Sequence, residues 1–197
     1  MISLVQTASS NNATVSLTVG VANHTLIAVV LWAGNPGSLP IDNHNNVWIS
    51  AGQSYSGQPF FMPVLNPYVQ IFYSLNVGTG STSVVFPTDN KVMATFLAEY
   101  SGISTFVTNI GNAGYVDGIS PFTTANINTK PNDLLFAVGT CNGTNMFPTN
   151  MSGFVQRISM TNPNVSVADQ IAIGGLYEAT FSATNADNYT VLMSSFR

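Results

Sequence analysis

Apolar and polar residues alternate with a period of two along most of this chain. Val15, Leu17 and Val19 alternate with Thr14, Ser16 and Thr18, and Val69, Ile71 and Tyr73 alternate with Gln70, Phe72 and Ser74. Side chains on a strand point to opposite faces in turn, so this pattern predicts half-buried strands. Residues 25–32, 92–100 and 134–138 are almost continuously apolar, which predicts central strands buried on both faces. Further strands are expected at 2–6, 47–50, 82–86, 123–128, 154–158, 165–173, 176–182 and 189–196. Turn formers separate them: Asn35-Pro36-Gly37, the Asn-rich residues 43–46, Gly78-Thr79-Gly80, Asp89-Asn90, Pro131-Asn132-Asp133 and Asn142-Gly143. No window carries a capped helical stripe. The pattern predicts an all-β fold: a single jelly-roll or β-sandwich domain over residues 1–197, built from about a dozen antiparallel strands.

Residues 14–34 align without gaps on residues 122–142, with Thr25-Leu26-Ile27-Ala28-Val29 against Asp133-Leu134-Leu135-Phe136-Ala137. Two Greek-key halves closing one sandwich would give such a match. So would β alternation by chance, and both readings stand. No domain linker interrupts the alternation. The longest loop-like stretch, residues 51–67, is punctuated by Gly52, Gly57, Pro59, Pro63 and Pro67. Loops of that length usually carry function.

Composition narrows the choice of function. Asn, Thr and Ser supply 62 of the 197 residues, while only 6% are charged, four basic against eight acidic. The polar surface is therefore made of neutral amides and hydroxyls. Disorder needs more charge and less hydrophobicity. Nucleic-acid binding needs a basic stripe, which Lys91, Lys130, Arg157 and Arg197 are too few and too scattered to form. Cys141 is alone, so no disulfide forms within the chain, and a small apolar core residue is its expected role. The start of the chain lacks the basic and apolar regions of a signal peptide. The longest apolar run, residues 26–33, is far shorter than the ~20 residues that span a bilayer. A mature secreted domain, or a protein made in the cytosol that reaches the exterior as part of a virion, fits these features.

Candidates for catalysis are sparse. His24 and His44 have no Glu or Cys at metal-ligand spacing, and neither a His-Glu-x-x-His nor a Gly-x-Ser-x-Gly motif occurs. Glu99 and Glu178 could face each other as a glycosidase pair, although isolated polar positions on strand faces are the simpler account. Asp42-Asn43-His44-Asn45-Asn46 offers oxygen ligands, but calcium sites usually carry more than one carboxylate, so a tight turn between two strands is expected there. Six Asn-x-Ser/Thr sequons are close to what this composition gives by chance. No catalytic residue, metal or cofactor is expected.

Surface recognition remains. The 51–67 stretch carries Tyr55, Phe60 and Phe61, with Tyr68 just after it. Such aromatics stack on sugar faces or anchor a protein partner, and they equally close the end of a sandwich core. These four are the candidate partner- or glycan-binding residues. Edge strands give a second hint: they are usually guarded by Lys, Pro or inward charges, and two lysines serve about a dozen strands here. A neutral surface is also cheap to desolvate, and its contacts respond weakly to salt. Both favour a protein packed against partners.

The series Thr25-Leu26-Ile27-Ala28-Val29-Val30-Leu31-Trp32, then Asp42-Asn43-His44-Asn45-Asn46-Val47-Trp48, then Gln70-Ile71-Phe72-Tyr73-Ser74-Leu75-Asn76-Val77, then Leu97-Ala98-Glu99-Tyr100-Ser101-Gly102-Ile103, resembles a jelly-roll module of phage structural proteins and secreted bacterial surface proteins. Glu99-Tyr100-Ser101-Gly102 is the most specific piece, and Asp117, residues 133–135 and residues 195–197 also fit. The first turn departs from the pattern, with His44-Asn45-Asn46 where members often carry Gly. The resemblance implies display, adhesion and assembly, with no catalytic residues. The expectation is therefore a non-enzymatic structural protein on a phage exterior, foremost a capsid decoration or cement subunit. Its partners would be other virion proteins and copies of itself, a trimer among the arrangements. The alternative is a carbohydrate-binding or adhesin module of a phage tail or a secreted bacterial protein, taking a cell-surface glycan.

Overall fold

The computed structural model describes residues 1–33, 38–51, 55–56, 67–87, 91–141, 153–161 and 163–197. It is an all-β sandwich of antiparallel strands, as the alternation predicts. The strands are β1 (Ser3–Ser10), β2 (Thr14–Val19), β3 (His24–Ala33), β4 (Ile41–Asp42), β5 (Ile49–Ser50), β6 (Tyr55–Ser56), β7 (Pro67–Val77), β8 (Gly80–Val85), β9 (Lys91–Ser101), β10 (Phe106–Thr123), β11 (Ile127–Cys141), β12 (Val155–Thr161), β13 (Asn164–Tyr177) and β14 (Thr180–Phe196). One sheet runs β1-β9-β3-β7-β5, with β6 also on β7. A second runs β10-β14-β11-β13-β12, and a small third runs β2-β8-β4.

The pairing is nested. In the first half β1 pairs β9, β2 pairs β8 and β3 pairs β7. This is a long antiparallel ribbon rolled on itself, the architecture of a jelly roll. The second half repeats the nesting: β10 pairs β14 along its whole length, and β11 pairs β13. Near residues 115–120 the β10–β14 register shifts twice. Beyond those bulges the ribbon doubles back, so that the Asn112 side chain donates to the carbonyl of Thr123 at 3.1 Å. The returning part places Phe122 and Phe181 on the outer face of the second sheet, where β2 and β8 cover the first. Bulges of this kind bend a ribbon where continuous pairing would keep it straight.

Three apolar clusters follow. The two large sheets share one, filled by Ile27, Val29 and Leu31 of β3 against Leu134, Phe136 and Val138 of β11. The opposite faces of the same strands fill the others: Leu26, Ala28, Val30 and Trp32 under β2 and β8, and Leu135, Ala137 and Cys141 under Phe122 and Phe181. That is why residues 25–32 and 134–138 are apolar without alternation. The faces also correct the internal alignment. Matching residue 14 to residue 122 sets Leu26 on Leu134, and these point in opposite directions. Moving by one residue matches Leu26, Ile27, Ala28 and Val29 to Leu135, Phe136, Ala137 and Val138, which keeps every face. A one-residue slip reverses the side-chain pattern of a strand, so only the second match is structural.

Candidate functional site

The carboxylates with described side chains lie mostly inside, while the described basic groups do not. Five of the eight carboxylates have described side chains, and four of these are buried: Asp42, Glu99, Asp133 and Asp169. Each is held by donors from its own chain. A buried carboxylate without such partners would be strongly destabilising.

Asp42 organises the turn after β4. Its Oδ1 accepts the backbone N–H of His44 at 2.8 Å and of Asn46 at 3.2 Å, and its Oδ2 accepts the Trp48 indole N–H at 2.7 Å. Asn45 takes a positive φ of 56°, a conformation that Asn tolerates. Asn43 clasps β8 by donating to the Ser81 carbonyl and accepting from the Ser83 N–H, both at 2.8 Å. Three N–H groups aimed at one carboxylate make an Asx turn rather than a cation cradle, in line with the tight turn expected from sequence. Among the described residues no group of three or more His, Cys, Asp or Glu side chains could hold a metal ion.

Glu99 on β9 lies fully inside the first half. One carboxylate oxygen is 2.5 Å from His24 Nδ1, and the other accepts from the Gln6 side chain. Gln6 Nε2 also donates to the carbonyl of Thr18. This ties β1, β2 and β3 to β9. Glu178 follows β13 on the other sheet and is exposed. The structure keeps the two glutamates on different sheets, so they form no acid pair.

Asp169 of β13 faces the shared core. It accepts from the Tyr100 hydroxyl of β9 across the sandwich and from Arg157 of β12, whose Nε and terminal nitrogen lie at 2.9 and 2.7 Å. Burial, then the Asp169 charge and hydrogen bond, push the Tyr100 hydroxyl well above its ordinary value. The Arg157 guanidinium is raised, first by its hydrogen bond to Asp169. The sequence signals only half of this cluster. A lone Asp within an apolar strand must find a partner, but which partner depends on how the sheets stack.

The four aromatic candidates fare differently. Tyr68 sits half-buried on β7, directly opposite Trp32 of β3, and packs on the cluster beneath β2 and β8. The backbone of Tyr55 forms β6 and pairs with Val69, so β6 lies beside the start of β7. The Tyr55 side chain, Phe60 and Phe61 lie outside the described residues.

The edges carry few charges. β1, β10 and β12 are edge strands of the two large sheets, and each contains at least one register shift against its neighbour, whereas β2, an edge of the small sheet, pairs with β8 without one. Bulges guard an edge by twisting it away from a straight partner. Leu39, Ile41, Val47 and Ile49 stand exposed around the Asp42 turn. Among the described residues no helix is long and apolar enough to cross a membrane. No protein family, curated protein or solved structure matches the chain.

Proposed function

We propose that this chain is a non-enzymatic structural subunit of a virion exterior, foremost a capsid decoration or cement protein, that works by docking onto other virion proteins and onto copies of itself. One observation carries the reading: four of the five acidic side chains among the described residues are spent holding turns and strands together, while aliphatic side chains face outward. Asp42, Glu99, Asp133 and Asp169 are all buried and engaged, and Leu39, Ile41, Val47 and Ile49 are exposed on a surface with very little charge. Exposed aliphatics grouped on a neutral surface are characteristic of association sites. The resemblance of the Glu99-Tyr100-Ser101-Gly102 stretch to phage jelly-roll modules points the same way. Light scattering over a concentration series tests the reading. Growth in mass with concentration supports it, and a strict monomer at the highest concentration contradicts it.

The second reading is a carbohydrate-binding or adhesin module. Its supporting observation is Tyr68, half-exposed at the start of β7 between Ser56 of β6 and Trp32 of β3. A glycan array with the wild type and a Tyr55→Ala, Phe61→Ala double variant decides it. Binding that is lost in the variant supports a glycan site, and no binding above background removes it.

A further inference from the structure

The second sheet has an extension that the first lacks. β12 accompanies β13 only as far as Asp169, and β14 accompanies β11 only from Leu134 onward. The rest of the ladder, Ile127–Tyr177 through Pro131–Ile173, is a two-stranded ribbon with no third strand on either side among the described residues. In the first half β3 begins at His24, opposite Val77 at the end of β7, so no equivalent ribbon forms there. Gly174 and Gly175 both take positive φ within it. Two-stranded ribbons are marginal in water unless something covers them. One face of this one is covered by the returning β10–β14 end, where Ile127 and Ala172 are buried with Phe122, Ala179 and Phe181, while Ile171, Ile173 and Leu176 are exposed.

This ribbon is also apolar. Ile173 is 85% exposed, Leu176 70% and Ile171 40%, and Val155 stands exposed at the adjoining end of β12. Together they present on the order of 400 Å² of mostly aliphatic surface, close to the apolar share of one side of a standard protein interface. Two opposite charges flank it. Lys130 is exposed on the β11 strand, and Glu178 is exposed just beyond the β13 strand. Two copies related by a two-fold axis present the same surface to each other in reversed direction. With the axis passing between Lys130 and Glu178, each Lys130 would face the other copy's Glu178.

We propose that the β11–β13 ribbon is the self-association surface of this protein, and that its occupant is the same ribbon of a second copy. The proposal rests on the assembly reading above and adds which surface makes the contact. An aliphatic patch of this size bordered by one cation and one anion is complementary to itself, and it carries no net charge to repel a copy.

Sedimentation velocity on the full chain tests it with four variants. Ile173→Asp weakens association more than tenfold, and Leu176→Ser weakens it in the same direction. Both positions are exposed, so circular dichroism and melting temperature stay close to wild type. Lys130→Glu weakens association by setting like charges together, and Lys130→Glu combined with Glu178→Lys restores it to within about threefold of wild type. Thr108→Lys, on the β10 edge, leaves it unchanged. Wild-type association that survives Ile173→Asp and Leu176→Ser overturns the ribbon and leaves the assembly reading in place. So does association lost only in Thr108→Lys. A wild type that stays monomeric at every concentration overturns both.

Discussion

Arg197 grips Asp133 at two points: its Nε and a terminal nitrogen donate to the two carboxylate oxygens, each at 2.8 Å. The Lys130 backbone N–H adds a third bond at 2.8 Å. Asp133 precedes the apolar run of β11, and Arg197 directly follows β14. In the first half His24 and Glu99 make a comparable tie between the start of β3 and the end of β9. Each rolled ribbon is thus pinned where its central strand meets its last strand.

The Asp133 grip predicts acid sensitivity. Burial pushes the carboxyl up. The Arg197 hydrogen bond, the Lys130 N–H and the nearby positive charges outweigh it, and the value falls below the usual 3.8. A folded value below the unfolded one means that the stabilisation is present above about pH 4 and is lost as the pH drops through the folded value. Asp133→Asn should cost on the order of 2 kcal/mol at neutral pH. Melting curves from pH 2.5 to 7 should show the gap between wild type and variant closing on the acid side. A gap of constant size would contradict the assignment.

Tyr100 predicts the opposite limb. Its raised hydroxyl value means that the unfolded chain ionises first, so this contribution is intact below about pH 10 and is lost as the pH rises beyond it. Tyr100→Phe removes one of the donors to buried Asp169 and should cost about 1–3 kcal/mol at pH 7. Denaturant titrations at pH 7 and pH 10.5 should show a smaller difference at the higher pH.

Gly139 predicts overpacking. A Cβ placed there would lie well inside contact distance of the Phe181 ring. Gly139→Ala should therefore destabilise by about 1–3 kcal/mol. Phe181→Leu introduced alongside it should recover part of the loss, measured by thermal melting. Full tolerance of the alanine would mean that the doubled-back ribbon does not lie against β11.

The Asp42 turn predicts indifference to calcium. Its carboxylate already accepts three N–H groups, so chelator and added calcium should leave the melting temperature unchanged. Asp42→Ala should lower stability by about 2–3 kcal/mol through the stranded Trp48 indole and the lost turn bonds. A calcium-dependent rise in melting temperature would contradict the turn assignment.

The alternation at residues 14–19 and 69–73 and the continuous apolar run at 25–32 made the strands and the sandwich legible, because burial on one face or two is written directly as period. The Asp42 turn was legible for the same local reason. The nesting of strand pairs was not, since which strands meet is decided by ribbons bending at bulges such as those in β10. The Tyr100–Asp169–Arg157 cluster and the Asp133–Arg197 grip join residues 69 and 64 positions apart in the chain, and no local spacing encodes them. Exposure of Ile173 and Leu176 was hidden too: they read as ordinary strand positions until the neighbouring strands are seen to stop short.

Sedimentation velocity of the wild-type chain from micromolar to millimolar concentration, at 50 and 500 mM salt, tests the central claim most directly: that weakly charged, partly aliphatic surfaces carry this protein into assemblies. The account predicts association that grows with concentration and changes little with salt, because few charges are available to screen. A single monomeric species throughout, or association that collapses at high salt, would contradict it.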